Sequence, residues 1–115
     1  MSDIHIDQQV LSELQDVMEG QYPILLQAFL KDSELRLEQL RNARNAEELG
    51  LVAHSFKGSS SNMGAICLAE LCRKLEEQIA HRSFSGIEEL LVQIEHEFEA
   101  VRRLYRAEWA RLQVE

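Results

Sequence analysis

Apolar residues in this chain recur at three- and four-residue intervals, the spacing that lines one face of an α-helix. From Asp7 to Met18 the stripe is Val10, Leu11, Leu14, Val17 and Met18. Asp7 is placed to cap that helix, Ile6 and Leu11 to staple it, and Gly20 to end it. A second stripe follows Tyr22-Pro23, with proline in the first turn, and runs Leu26, Phe29, Leu30, Ser33, Leu37, Leu40. Asn45 and Glu48 stand at the two positions of a capping box opening a third helix. A fourth has Leu68, Leu71, Cys72, Leu75 and Ile79 as its seam. Ser85 and Glu88 suggest another capping box, after which Ile87, Leu90, Leu91, Ile94, Phe98, Val101, Leu104 and Tyr105 continue one stripe. The predicted helices are 7–19, 22–43, 46–61, 65–81 and 86–112, in a single domain over residues 1–115. Short breaks between long amphipathic helices favour antiparallel neighbours. The expected fold is all-α: an antiparallel up-down four-helix bundle with a short additional N-terminal helix.

Composition agrees with that pattern. The chain has 115 residues, one proline, five glycines and no threonine, while the strong helix formers dominate. Its net charge of −8 repels phosphate backbones and anionic lipid, so neither nucleic acid nor a membrane is an expected partner. Arg102, Arg103, Arg106 and Arg111, interleaved with Tyr105 and Trp109, form a local exception. Glu95, Glu97, Glu99 and Glu108 lie beside them, and cations near a helix C-terminus favour its dipole, so a solvated helix end is the preferred reading. No apolar run approaches the roughly 18 residues of a membrane span, and the start MSDIHID lacks the basic and apolar regions of a signal peptide. A cytoplasmic protein is expected. Cys67 and Cys72 fall about 140° apart around a helix, so they read as buried reduced thiols rather than a disulfide or a shared metal site.

One stretch of the third helix, HSFKGSSSNMG at residues 54–64, is poor in helix formers. With Leu49 at zero on a helical wheel, Val52, Ala53, Phe56, Ser60 and Met63 share its side and form the core stripe. His54 lies about 140° away and points to water. Gly50 and Gly58 stand one turn before and after it, with Lys57 and Ser61 on the same side. Two missing side chains would clear the surface around the ring, and Lys57 would favour an anion there. A lone exposed histidine is ordinarily a plain surface residue. The convergence of four residues on one ring, at a helix-stability cost, argues for a functional one.

Several chemistries lack their partners. His5, His81 and His96 fall in other segments, and Leu51, Gln78 and Gln93 stand where Glu-x-x-His would need glutamate, so no metal site is expected. No nucleophile elbow and no phosphate-cradling glycine loop are present. What remains is a nucleophilic histidine that accepts a transferable group, and the lysine favours a phosphoryl group.

The run AHSFKGSSSNMGA at 53–65 resembles the signature of histidine-containing phosphotransfer (HPt) domains, and LAELCRKLEEQ at 68–78 resembles the helix that follows it. The resemblance implies a stand-alone, bacterial-type phosphotransfer protein. By position, His54 matches the phosphoacceptor, Lys57 the lysine near the phosphoryl oxygens, and Gly58 the glycine that leaves access. Glu76 matches the residue that holds the inner ring nitrogen, and Gly64 the glycine of the helix junction. The resemblance further implies a carrier rather than an enzyme, with no cofactor of its own. Receiver domains of hybrid sensor histidine kinases and response regulators would be its partners, supplying the aspartate and Mg²⁺. The expected contact face is Glu47, Gly50, Leu51, Ser55, Ser61 and Asn62 around His54, on a monomer. The alternative is a non-phosphorylated helical module that binds a partner through the same face.

Overall fold

The computed structural model describes residues 5–113. Five α-helices follow in order: α1 (Gln8–Met18), α2 (Tyr22–Asn42), α3 (Ala46–Asn62), α4 (Ile66–Ala80) and α5 (Ile87–Gln113). A 3₁₀ turn, Glu19–Gln21, joins α1 to α2. Helices α2 to α5 close a four-membered ring, α2 on α3, α3 on α4, α4 on α5 and α5 on α2, with α3 and α4 the most intimate pair. The 27-residue α5 gives the molecule its long axis, about 40 Å at 1.5 Å per residue.

Caps mark two of the helix starts as the pattern predicts. Asp7 accepts a hydrogen bond from the Gln9 backbone at 3.0 Å, and Asn45 Oδ1 accepts from Glu48 N at 2.8 Å. Glu48 returns to the Arg44 N–H at 3.0 Å. Other starts and stops differ from expectation. Gly20 does not end α1; Glu19 takes the positive φ of 51° and the 3₁₀ turn follows. No Ser85–Glu88 capping box occurs among the described residues. Gly86 has a φ of 85°, so no helix can begin at 86, and α5 opens one residue later than a Ser85 cap requires.

Each long helix delivers its stripe to one core. Tyr22, Leu26 and Phe29 of α2, Ala53 and Phe56 of α3, Leu68, Cys72 and Leu75 of α4, and Ile94, Phe98, Val101 and Tyr105 of α5 are buried together. Phe29 and Tyr105 meet with ring centroids 5.2 Å apart. The stripes are narrower than the sequence suggests at three places. Val17 stays exposed because α1 buries only Leu11. Leu104 is exposed because Val101 and Tyr105 already occupy the inward face of α5. Cys67 is half-buried rather than buried, lying one position off the α4 seam, whereas burial pushes the Cys72 thiol up to about 12.

Arg102 and Arg111 of the basic run of α5 are tied into ion pairs. Arg102 reaches Glu34 of α2 at 2.7 Å and Glu99 at 3.2 Å, and its guanidinium lies 4.9 Å from the Phe98 ring centroid. Arg111 pairs with Glu108 at 2.8 Å. None of the described helices is long and apolar enough to cross a membrane.

Candidate phosphotransfer site

Two helices build the site. On α3, the inward faces of Ala53, Phe56 and Ser60 leave His54 on the opposite side, its side chain 67% exposed. On α4, the buried Cys72 and Leu75 leave Glu76 at the seam's edge, half-buried and turned toward α3. The junction between them is tightly specified. Gly64 has a φ of 80°, and a Cβ there would come 3.1 Å from Val10 Cβ and 3.2 Å from the Asp7 carbonyl. Asp7 N donates to Gly64 O at 2.7 Å, and the buried Tyr105 hydroxyl donates to Met63 O. A residue with a side chain would be strained and crowded at 64. This junction sets how α4 lies along α3, and therefore what faces His54.

What faces it is Glu76. Its Oε2 lies 2.7 Å from His54 Nδ1 and its Oε1 lies 2.8 Å from Lys57 Nζ. The Lys57 hydrogen bond, reinforced by that of His54, holds the Glu76 carboxyl below the usual carboxylate range against the opposing effect of burial. An ionised carboxylate only accepts, so Nδ1 carries the proton and donates it. In the neutral ring the outer nitrogen, Nε2, then carries the lone pair, on the exposed side. Such a nitrogen is a nucleophile aimed at solvent. No position along α3 predicts the ion pair of Lys57: the ammonium is not held free beside the ring but shares Glu76 with it.

The two glycines differ. A Cβ at Gly58 would meet nothing within 4 Å, so that position is open. Gly50 is half-buried, and its Cβ would lie 3.4 Å from Ile79 Cγ2. The expectation that both clear space around the imidazole is therefore corrected. Gly50 faces Ile79 of α4, and of the two only Gly58 faces open space. Of the remaining face, Glu47, Leu51, Ser61 and Asn62 are exposed and Ser55 is half-buried. Leu51 is 67% exposed, a large apolar side chain left in water near the histidine.

A shallow groove beside Lys57, Gly58, Ser61 and Asn62 is completed by α4 residues that sequence reasoning missed: Ile66, Ala69, Glu70 and Arg73. Their signal was present, since positions 66, 69, 70 and 73 share one helical face. Without knowing that α3 and α4 are nearest neighbours, that face has no reason to be joined to His54. Arg73 there is held by Glu70 at 2.7 Å and Glu77 at 3.3 Å. On another side of α4, His5, Cys67 and Glu97 converge although 92 residues separate the first and last, with His5 Nδ1 2.7 Å from Glu97 Oε2.

A four-helix bundle with a solvent-open histidine, its inner nitrogen fixed by a carboxylate from the adjacent helix, defines a class of covalent group carrier. The family model for the Hpt domain matches residues 24–104, and the chain belongs to that family, the histidine phosphotransfer proteins of phosphorelays. It is similar to the crystal structure of histidine-containing phosphotransfer protein B (HptB) from Pseudomonas aeruginosa PAO1, at 46% identity and a TM-score of 0.92. That alignment covers 96% of this chain and 98% of the other. A rice protein described as a histidine-containing phosphotransfer protein shares the fold, with a TM-score of 0.79 at 20% identity over 92% of this chain and 80% of that one. No curated protein matches the chain in sequence.

Proposed function

We propose that His54 is the phosphoacceptor, taking a phosphoryl group from the aspartyl phosphate of one receiver domain and passing it to another. The observation that carries this reading is the 2.7 Å contact between His54 Nδ1 and Glu76 Oε2, which turns the Nε2 lone pair outward. In the forward step a bond forms between Nε2 and phosphorus while the aspartyl oxygen–phosphorus bond breaks and the carboxylate departs. Positive charge grows on the imidazole as this happens. Glu76 is placed to stabilise it, with the Nδ1 proton kept in the hydrogen bond. Phosphoryl transfer depends mainly on positioning and charge stabilisation. Mg²⁺ belongs, in this reading, to the receiver and not to this chain.

Lys57 has three donors and Glu76 uses one, so the ammonium can turn toward the incoming phosphoryl oxygens without abandoning the carboxylate. Gly58 leaves the approach open. The groove of Gly58, Ser61, Asn62, Ile66 and Ala69 is the surface against which the receiver docks, with the exposed Leu51 on the other flank of the histidine. The chain acts as a monomeric carrier in the cytoplasm, between a receiver domain of a hybrid sensor histidine kinase and that of a response regulator.

Incubation with a labelled, phosphorylated receiver domain and Mg²⁺ tests the proposal. Label should move to this protein as an acid-labile, alkali-stable adduct, and His54→Gln should accept none while keeping its helical spectrum and melting temperature. A folded His54→Gln variant that still becomes labelled would remove His54 as the acceptor. A wild-type chain that binds receivers but takes no phosphoryl group would leave a non-phosphorylated interaction module.

A further inference from the structure

Away from His54, three chain segments bring together a donor set that the phosphotransfer reading does not use. His5 precedes α1, Cys67 lies in the first turn of α4, and Glu97 sits in the middle of α5. One ligand atom from each, an imidazole nitrogen, a sulfur and a carboxylate oxygen, lies within 4.8 Å of the others. All three residues are half-buried at the wall of a groove of about 450 Å³ that Ile66, Glu70, Leu71 and Lys74 also line, the first two shared with the groove beside Lys57. Glu97 is the better shielded of the ion pair, its side chain only 12% exposed against 31% for His5.

We propose that His5, Cys67 and Glu97 form a binding site for a zinc ion. Nitrogen, sulfur and oxygen donors together suit a borderline cation, and zinc takes all three in tetrahedral sites. Around a tetrahedral zinc ion such donors stand about 3.3–3.6 Å apart. The His5–Glu97 pair, at 2.7 Å, has to open slightly to reach that spacing, and the sulfur, within 4.8 Å of both, is in range of the same ion. Cys67 binds as thiolate, its proton passing to solvent, and His5 offers a lone pair in place of its present bond to Glu97. Thiolate and carboxylate bring two negative charges, which outweigh the nearby Lys74 ammonium. With three protein ligands, the fourth position is left to water. The loaded site ties the segment ahead of α1 to α4 and α5.

None of the three ligands belongs to the His54, Lys57 and Glu76 cluster, so the test is independent of the phosphotransfer reading. The reduced, metal-free full chain is titrated with Co²⁺ as a spectroscopic probe and then with Zn²⁺. The expected result is one equivalent of Co²⁺ with a thiolate-to-cobalt charge-transfer band, displaced by Zn²⁺. Cys67→Ser should lose the band, and Cys67→Ser and Glu97→Gln should each weaken Zn²⁺ binding about tenfold or more. His54→Gln should bind as the wild type does. Absence of the charge-transfer band from the wild type overturns the proposal without recourse to any variant. So does unchanged affinity in Cys67→Ser and Glu97→Gln, or affinity lost in His54→Gln.

Discussion

At the scale of single residues, Glu76 is the pivot of the candidate site. One carboxylate oxygen sets the tautomer of His54 and the other holds Lys57 within reach of the same ring. Glu76→Ala removes both functions, and a charge-assisted hydrogen bond contributes roughly 1.5–3 kcal/mol. Phosphoryl acceptance should therefore slow about 10- to 100-fold without vanishing, since the Nε2 lone pair exists in a fraction of the molecules whatever the partner. Glu76→Gln keeps a carbonyl oxygen for Nδ1–H and loses the charge, so its rate should fall between wild type and Glu76→Ala. Stopped-flow measurement of transfer from a phosphorylated receiver checks the order. Equal rates for all three proteins would leave Glu76 a surface ion-pair partner only. The position of Glu76 on the flank of the α4 seam was readable from the sequence, but its double engagement was not. A helical wheel gives the direction of a side chain and carries no information about the neighbouring helix.

At the scale of elements, three glycines have three separate causes. Gly58 faces open space within α3, so a Cβ there meets no atom within 4 Å. Replacing glycine in an exposed helix interior improves helix propensity by up to about 1 kcal/mol. Gly58→Leu should thus raise the melting temperature by a few degrees, up to roughly 4 °C for a domain of this size, while it blocks receiver docking and slows transfer. A loss of transfer that only tracked a loss of stability would make Gly58 structural. Gly64 is the opposite case. Its positive φ and its 3.1 Å approach to Val10 make Gly64→Ala destabilising, by about 1–3 kcal/mol, which calorimetry reads as a lower melting temperature. Gly50 lies against the Ile79 side chain of α4, where a Cβ would come to 3.4 Å. Only the element pairing separates Gly50 from Gly58, because both look alike as breaks in the pattern of one helix.

At the scale of the whole molecule, polar contacts at the far end of the bundle couple its stability to pH. Tyr22 is buried and donates to Glu108 at 2.8 Å, linking the start of α2 to the end of α5. Burial, and then the hydrogen bond and charge of Glu108, push its phenol well above the usual value. Burial raises Tyr105 in the same direction. The native state therefore holds these protons more tightly than the unfolded chain does. Their contribution to stability is complete below about pH 10, the unfolded phenol value, and is lost as pH rises through the native values. Melting temperature should fall above about pH 10, and Tyr22→Phe should make that fall shallower. At the acid end, Arg111 holds Glu108 below the carboxylate range, as Lys57 holds Glu76. Those contributions are present above about pH 4.5 and lost as pH falls through the native values.

The sequence by itself determined the all-helical class, the ring of four long helices with a short first one, and the outward direction of His54. Each follows from local physics: the 3.6-residue period separates core from surface, and caps such as Asp7 and Asn45 act within a few residues. Where periodicity was read too broadly, at Val17 and Leu104, burial depended on how much neighbouring surface was available. Only the tertiary structure decided what each side chain meets. It put Glu76 across from His54 and Lys57, turned Gly50 toward α4, joined the α4 face of Ile66 and Arg73 to the histidine, and gathered His5, Cys67 and Glu97. These contacts depend on the axial register between helices, and that register is set by the fit of the whole core and the Gly64 junction rather than by any local pattern.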